Sequence, residues 1–89
     1  VEFSWDEAKH AKTLGERGIG FDDAARIFLG RVLVWEDVRH DYGERRFRAV
    51  GMVNEVLLHI VFTPRRSTLR IISVRRASAK ESKIWRSGE

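Results

Sequence analysis

Residues 46–76 read RFRAVGMVNEVLLHIVFTPRRSTLRIISVRR. Apolar and β-branched runs broken by short polar gaps predict three consecutive strands joined by tight turns. The middle run, Val56 to Phe62, is almost wholly apolar, as a central strand covered on both faces should be. Asn54-Glu55 fits a two-residue hairpin turn, which sets Val53 opposite Val56, Val50 opposite His59 and Arg46 opposite Thr63. A second turn, near Arg65 to Thr68, sets Thr63 against Arg70 and His59 against Val74. Side chains alternate along a strand. One face therefore collects Phe47, Ala49, Gly51, Val53, Val56, Leu58, Ile60, Phe62, Leu69 and Ile71, a seat for helices. The other carries Arg46, Arg48, Val50, Leu57, His59, Val61, Thr63, Arg70, Ile72 and Arg76. That second face is apolar in its middle and basic at its ends.

The flanking sequence supplies cover for the sheet. Phe3 to Trp5 fits a short edge strand or lead-in. Ser4 and Glu7 match the S-x-x-E capping box, and a helix follows from about Trp5 to Arg17, with Trp5, Ala8, Ala11 and Leu14 on one stripe. Gly18 stops it, since glycine accepts the left-handed conformation after a helix. Phe21, Ala24, Ala25 and Phe28 mark the apolar face of a second, shorter helix that Gly30 closes. Asp22 and Asp23 sit in its first turn, near the positive end of the helix dipole. Val32 to Trp35 reads as a strand, and residues 36–45, EDVRHDYGER, as a charged loop. Ser78 with Glu81 forms a second capping box, opening a final helix that Ile84 and Trp85 dock against the sheet.

Eighty-nine residues suit one domain, residues 1–89, with one core and a small stability margin. A charged fraction of 34% and an apolar fraction of 43% are those of a soluble globular protein. No apolar run reaches membrane-spanning length, and amphipathic sequence begins at once, so no secretory leader is expected. The absence of cysteine excludes disulfides and thiolate metal sites and is compatible with a reducing compartment. A net charge of +4 favours an anionic partner such as RNA, DNA or an acidic protein.

Four stretches carry a family likeness: FSWDEAKHA at the start, GIGFDDAARIF in the second helix, EDVRHDYGERRF in the loop, and RIISVRRAS before the last helix. Together, in order and at matching spacings over nearly the whole chain, they resemble the BrnT-type toxins. The resemblance implies an α+β, RelE-like fold: two N-terminal helices packed on a small antiparallel sheet, with a C-terminal helix. It implies a cytoplasmic endoribonuclease toxin of a type II toxin–antitoxin system that arrests growth by cutting RNA. The implied partner is a BrnA-like ribbon-helix-helix antitoxin, which covers the toxin and reaches operator DNA on its behalf. His59 and Arg48 depart from the likeness, at positions expected to be apolar in relatives.

Metal-free RNA cleavage needs a base for the 2′-OH, positive charge for the phosphorane and an acid for the leaving 5′-oxygen. Arg70, Arg76 and Lys9 are candidates to bind and stabilise the phosphate, since a guanidinium meets phosphate oxygens bidentately. His40 and Glu44, in the charged loop, are the candidates for proton transfer. Arg46 and Arg48 are placed to grip the RNA backbone, and Tyr42 to stack on a base. His59 reads as a hydrogen-bonded, half-buried residue, and Trp5 and Trp85 as core. Asp37, Asp41 and Glu44 follow no known metal-loop spacing, so no metal or other cofactor is expected. Two other functions fit the same face: a non-catalytic nucleic-acid module within a repressor complex, and a surface directed at protein alone.

Overall fold

The structure is a computed structural model and describes residues 1–88. The chain runs β1 (Glu2–Ser4), α1 (Glu7–Arg17), α2 (Phe21–Arg26), a 3₁₀ turn (Ile27–Leu29), β2 (Val32–Asp37), β3 (Arg46–Val53), β4 (Val56–Arg65), β5 (Thr68–Arg76) and α3 (Ala79–Ser87). The strands form one five-stranded sheet in the order β1-β5-β4-β3-β2. Strands β2 to β5 are antiparallel, as expected. β1 is an edge strand parallel to β5, so the sheet is mixed rather than wholly antiparallel.

The first hairpin forms in the expected register, with Val53 opposite Val56 and Val50 opposite His59. Asn54 and Glu55 both take positive φ, 48° and 65°, the backbone a two-residue turn requires. In the second hairpin Thr63 pairs with Arg70, also as expected, and the ladder closes on Arg65 and Thr68 around a tighter turn. Beyond that point the expectation fails. A register shift lies between Val61 and Phe62: Phe62 pairs with Ile71, but Val61 pairs with Ser73. The extra residue, Ile72, moves everything after it by one, so His59 faces Arg75 instead of Val74. Val74 joins the core, and Arg76 pairs with Leu58 on the opposite face from the one assigned to it by alternation.

One side of the sheet carries the main core. Ala49, Val53, Leu58, Ile60, Phe62, Ile71 and Val74 meet Ile19, Phe21, Ala24 and Ile27 there. Phe21 and Ile27, each 1% exposed, contribute about 1.5–3 kcal/mol apiece by burial. Gly51 is required here, because a Cβ at that position would stand 2.7 Å from Ile27 Cβ.

α1 is held differently from the way its sequence suggests. Its cap is Asp6, whose carboxylate accepts from the N–H of Ala8 and Lys9, while Ser4 is taken up by β1. None of its residues is buried, and Ala8, Ala11 and Leu14 face outward. The helix is tied down by polar contacts instead. Lys9 Nζ donates to the Ile72 carbonyl, and Arg17 donates to the Val74 carbonyl at 2.7 Å. The N–H of Phe21 donates to His10 Nδ1 at 2.9 Å. The other side of the sheet is not an open apolar saddle. α3 lies over it, its start fixed by the expected Ser78–Glu81 capping box. Val50, His59 and Val61 are buried, as is Trp85 on α3, while Ile84 stays exposed.

Candidate functional site

The side of the sheet under α3 gathers most of the chemistry. Cross-strand pairing builds it row by row. Leu33, Val50, His59 and Arg75 form one row, and Trp35, Arg48, Val61 and Ser73 the next. Asp37 pairs with Arg46, and Thr63 with Arg70, at the end of the sheet that α3 leaves open.

Two networks occupy these rows. In the first, Glu81 is 6% exposed and accepts two bonds of 2.8 Å from Arg75 and one of 3.3 Å from Arg48. It also accepts from the N–H of Ser78 at 2.9 Å, so one carboxylate caps α3 and anchors it to the sheet. The Arg75 bonds hold the Glu81 carboxyl down to about 2 against the opposing effect of burial. His59 lies beneath, 2% exposed, its Nε2 accepting from Arg48 Nε at 3.0 Å. Burial, then the positive charge of Arg75, pushes the imidazole down to about 4, with Glu81 opposing. Arg48 and Arg39 act in the same direction as Arg75. His59 Nε2 and a Glu81 oxygen are 3.8 Å apart, yet the ring is neutral at pH 7, so this is no ion pair. With Nε2 as acceptor the ring proton is assigned to Nδ1, which has no hydrogen-bond partner among the described residues.

The second network shapes the charged loop. Asp37 is 4% exposed and accepts two bonds of 2.8 Å from the Arg39 side chain and one of 3.2 Å from the Tyr42 hydroxyl. Its carboxyl is held far below the usual range, chiefly by Arg39. The Arg46 guanidinium lies 4.2 Å from the centre of the Tyr42 ring, and His40 meets the same ring edge-on at 5.7 Å. Glu44 pairs with Arg46 at 3.7 Å and with Arg65 at 3.4 Å. Arg48 stacks over Trp35 at 5.2 Å. The result is a band of guanidiniums on an aromatic floor, held in shape by Asp37 and flanked by Glu44.

Of the residues singled out from the sequence, Arg46, Arg48, Tyr42, His40 and Glu44 stand together on or beside this band. Arg70 shares the face at the same end, across Thr63. Lys9 reaches the rim only from the edge, where it lines a shallow cleft of about 160 Å³ with Asp6, Arg70, Ile71 and Ile72. Arg76 does not join them. The bulge turns it to the core side, where it donates to the Arg17 carbonyl at 3.3 Å and lines a cleft with Gly18 and Asp23. Arg39, Arg75 and Glu81 were not anticipated in these positions. Arg75 was hidden by the register shift. Glu81 was recognised as a cap, but a capping pattern does not reveal a second set of partners. Arg39 sat in a loop without periodicity; the only signal was an Asp two residues before it. Among the described residues no group of three His, Asp or Glu side chains converges as metal ligands would, and no helix is long and apolar enough to cross a membrane.

The family model described as "Ribonuclease toxin, BrnT, of type II toxin-antitoxin system" matches residues 5–81 of the chain. No curated protein matches it.

Proposed function

The chain belongs to the BrnT family of ribonuclease toxins of type II toxin–antitoxin systems, and from that membership and the guanidinium band we propose an endoribonuclease that works without a metal ion. The observation that carries this reading is that Arg46 and Arg70 stand on one sheet face at the end α3 does not cover, Arg46 stacked on Tyr42, with Arg48 next along β3 and held against α3 by Glu81. RNA lies across that end. Arg46 and Arg70 hold the scissile phosphate from two strands, and Arg48 extends the positive field toward α3. Tyr42 offers an aromatic face to a base, and Lys9 meets the RNA backbone at the rim beside Arg70.

In the reaction the 2′-oxygen bonds to phosphorus while the bond to the 5′-oxygen breaks. One proton leaves the 2′-hydroxyl and one reaches the departing oxygen. His40 and Glu44 are the groups at hand for these transfers. The arginines bear the charge that builds on the phosphorane oxygens. His59 is buried beneath Arg48 and takes no part in proton transfer; its role is to position that guanidinium.

The wider reading follows the family: a RelE-like fold over residues 1–89, action in the cytoplasm, growth arrest, and neutralisation by a BrnA-like ribbon-helix-helix antitoxin. The antitoxin covers the band and carries the complex to operator DNA. The test is cleavage of purified RNA in EDTA. Wild type cuts, and Arg46→Ala and Arg70→Ala each lose about a hundredfold in rate, the usual scale for one electrostatic contact to a transition state. If the purified wild type cuts no RNA, or both variants keep full activity, the proposal fails. Salt-sensitive RNA binding without turnover would place the chain among binding modules instead.

A further inference from the structure

The two edges of the sheet are treated very differently. At the β5 edge, β1 pairs with residues 68–70, the Ile72 bulge breaks the ladder, and Lys9 and Arg17 occupy the carbonyls of Ile72 and Val74. These are the devices by which proteins prevent an edge from recruiting another strand. The β2 edge has none of them. It runs regularly along β3 from Val32 to Asp37 with no register shift, and its sequence, VLVWED, holds no lysine or proline.

The backbone groups that this edge presents follow from the register. A two-residue turn makes Val53 and Val56 a hydrogen-bonded pair. Alternation then gives the bonds of Gly51, Ala49 and Phe47 to β4, and those of Val50, Arg48 and Arg46 to β2. Their partners Leu33, Trp35 and Asp37 bond inward. Val32, Val34 and Glu36 therefore point their N–H and C=O groups away from the sheet. No hydrogen bond to those groups occurs among the described residues. Apolar exposure gathers along the same line: Leu29 is 86% exposed, Val34 47% and Val38 78%.

We propose that β2 pairs antiparallel with β2 of a second copy of this chain, joining two sheets into one. A twofold axis through Val34 sets Val34 against itself and Val32 against Glu36 of the second copy. These are the residues with free backbone groups, so every one of them is satisfied. The same register places Leu33 against Trp35 of the other copy on one face. It brings Val38 to the Leu29–Gly30 end. The strand is thus complementary to itself in hydrogen bonding and in apolar exposure. The contact is small for a stable interface, so the dimer dissociates on dilution.

The experiment is light scattering on a concentration series of the purified protein, with two variants. Wild type is expected to shift from monomer to dimer mass as concentration rises. Val34→Pro removes an outward N–H that the monomer does not use and is expected to stay monomeric with an unchanged melting temperature. Val34→Cys places the chain's single cysteine on the axis, where paired Cα atoms are about 5.5 Å apart, within disulfide reach. Mild oxidation is expected to give a covalent dimer from Val34→Cys and none from Met52→Cys, a similarly exposed site off the axis. A wild type that stays monomeric at every concentration overturns the proposal, including the case in which another protein's strand fills this edge. So does equal cross-linking of the two cysteine variants, or a dimer that survives in a folded Val34→Pro.

Discussion

His59 makes the protein lose stability at a pH where its carboxylates are still ionised. The ring is buried and held neutral, so its folded-state pKa, about 4, lies below the ordinary 6.5. The unfolded chain therefore takes up a proton that the folded chain refuses. The contribution is fully present above pH 6.5 and is lost as pH falls toward 4. With 1.36 kcal/mol per pKa unit, the loss is about 2 kcal/mol between pH 7.5 and 5, and about 3 kcal/mol by pH 4. The lowered carboxyls of Glu81 and Asp37 act in a different window, their stabilisation fading as pH falls below their ordinary values of 4.5 and 3.8. Urea unfolding of wild type and His59→Gln side by side at pH 7.5, 6 and 5 isolates this imidazole from the other two histidines. His59→Gln keeps an acceptor for Arg48 but cannot titrate, and it should lose the slope between pH 7.5 and 5 whatever its stability at pH 7.5. If His59→Gln loses the same ~2 kcal/mol as wild type, the assignment to His59 is wrong.

Glu81→Gln leaves Arg75 and Arg48 facing a neutral amide in a buried site. It should cost about 3 kcal/mol, the lower end for breaking a buried pair, seen as a drop in Tm of more than 10 °C, roughly. Glu55→Gly relieves a side chain held at φ 65° and completes an Asn-Gly turn, so it should raise stability by about 0.5–1 kcal/mol in chemical denaturation. Gly51→Ala drives a methyl group into Ile27 and should destabilise by about 1–3 kcal/mol, read from the same denaturation curves.

Within residues 46–76 the sequence is legible where local chemistry decides the outcome. Asn54-Glu55 fixes a turn of defined length, and with it the register of β3 on β4. Ser78 and Glu81 fix where α3 begins. The sequence is not legible where packing chooses among equivalent local options. Nothing in LRIISVRR marks Ile72 as the inserted residue, because Ile71, Ile72 and Val74 all suit a strand. Yet that one residue decides whether Arg75 or Arg76 faces the guanidinium band. Ser4 and Asp6 are both good caps, and the competing demand of β1 for Ser4 is a tertiary effect. The stripe Ala8, Ala11, Leu14 has helical spacing but little apolar bulk. The opposite, polar side of that helix is held instead, by the sheet through Lys9 and Arg17 and by the start of α2 through His10.

That mode of attachment has a consequence for how the molecule comes apart. α1 buries none of its own residues, so lifting it gives up a few hydrogen bonds that water can replace and the contact of His10 with the Phe21 ring. The sheet and α2 keep their shared interior without it. Amide exchange over Glu7–Arg17 should therefore outrun global unfolding, and the freed carbonyls of Ile72 and Val74 would then be the first backbone of the sheet to meet solvent. The segment behaves as a hinged cover on one margin, while the strands beneath it remain intact.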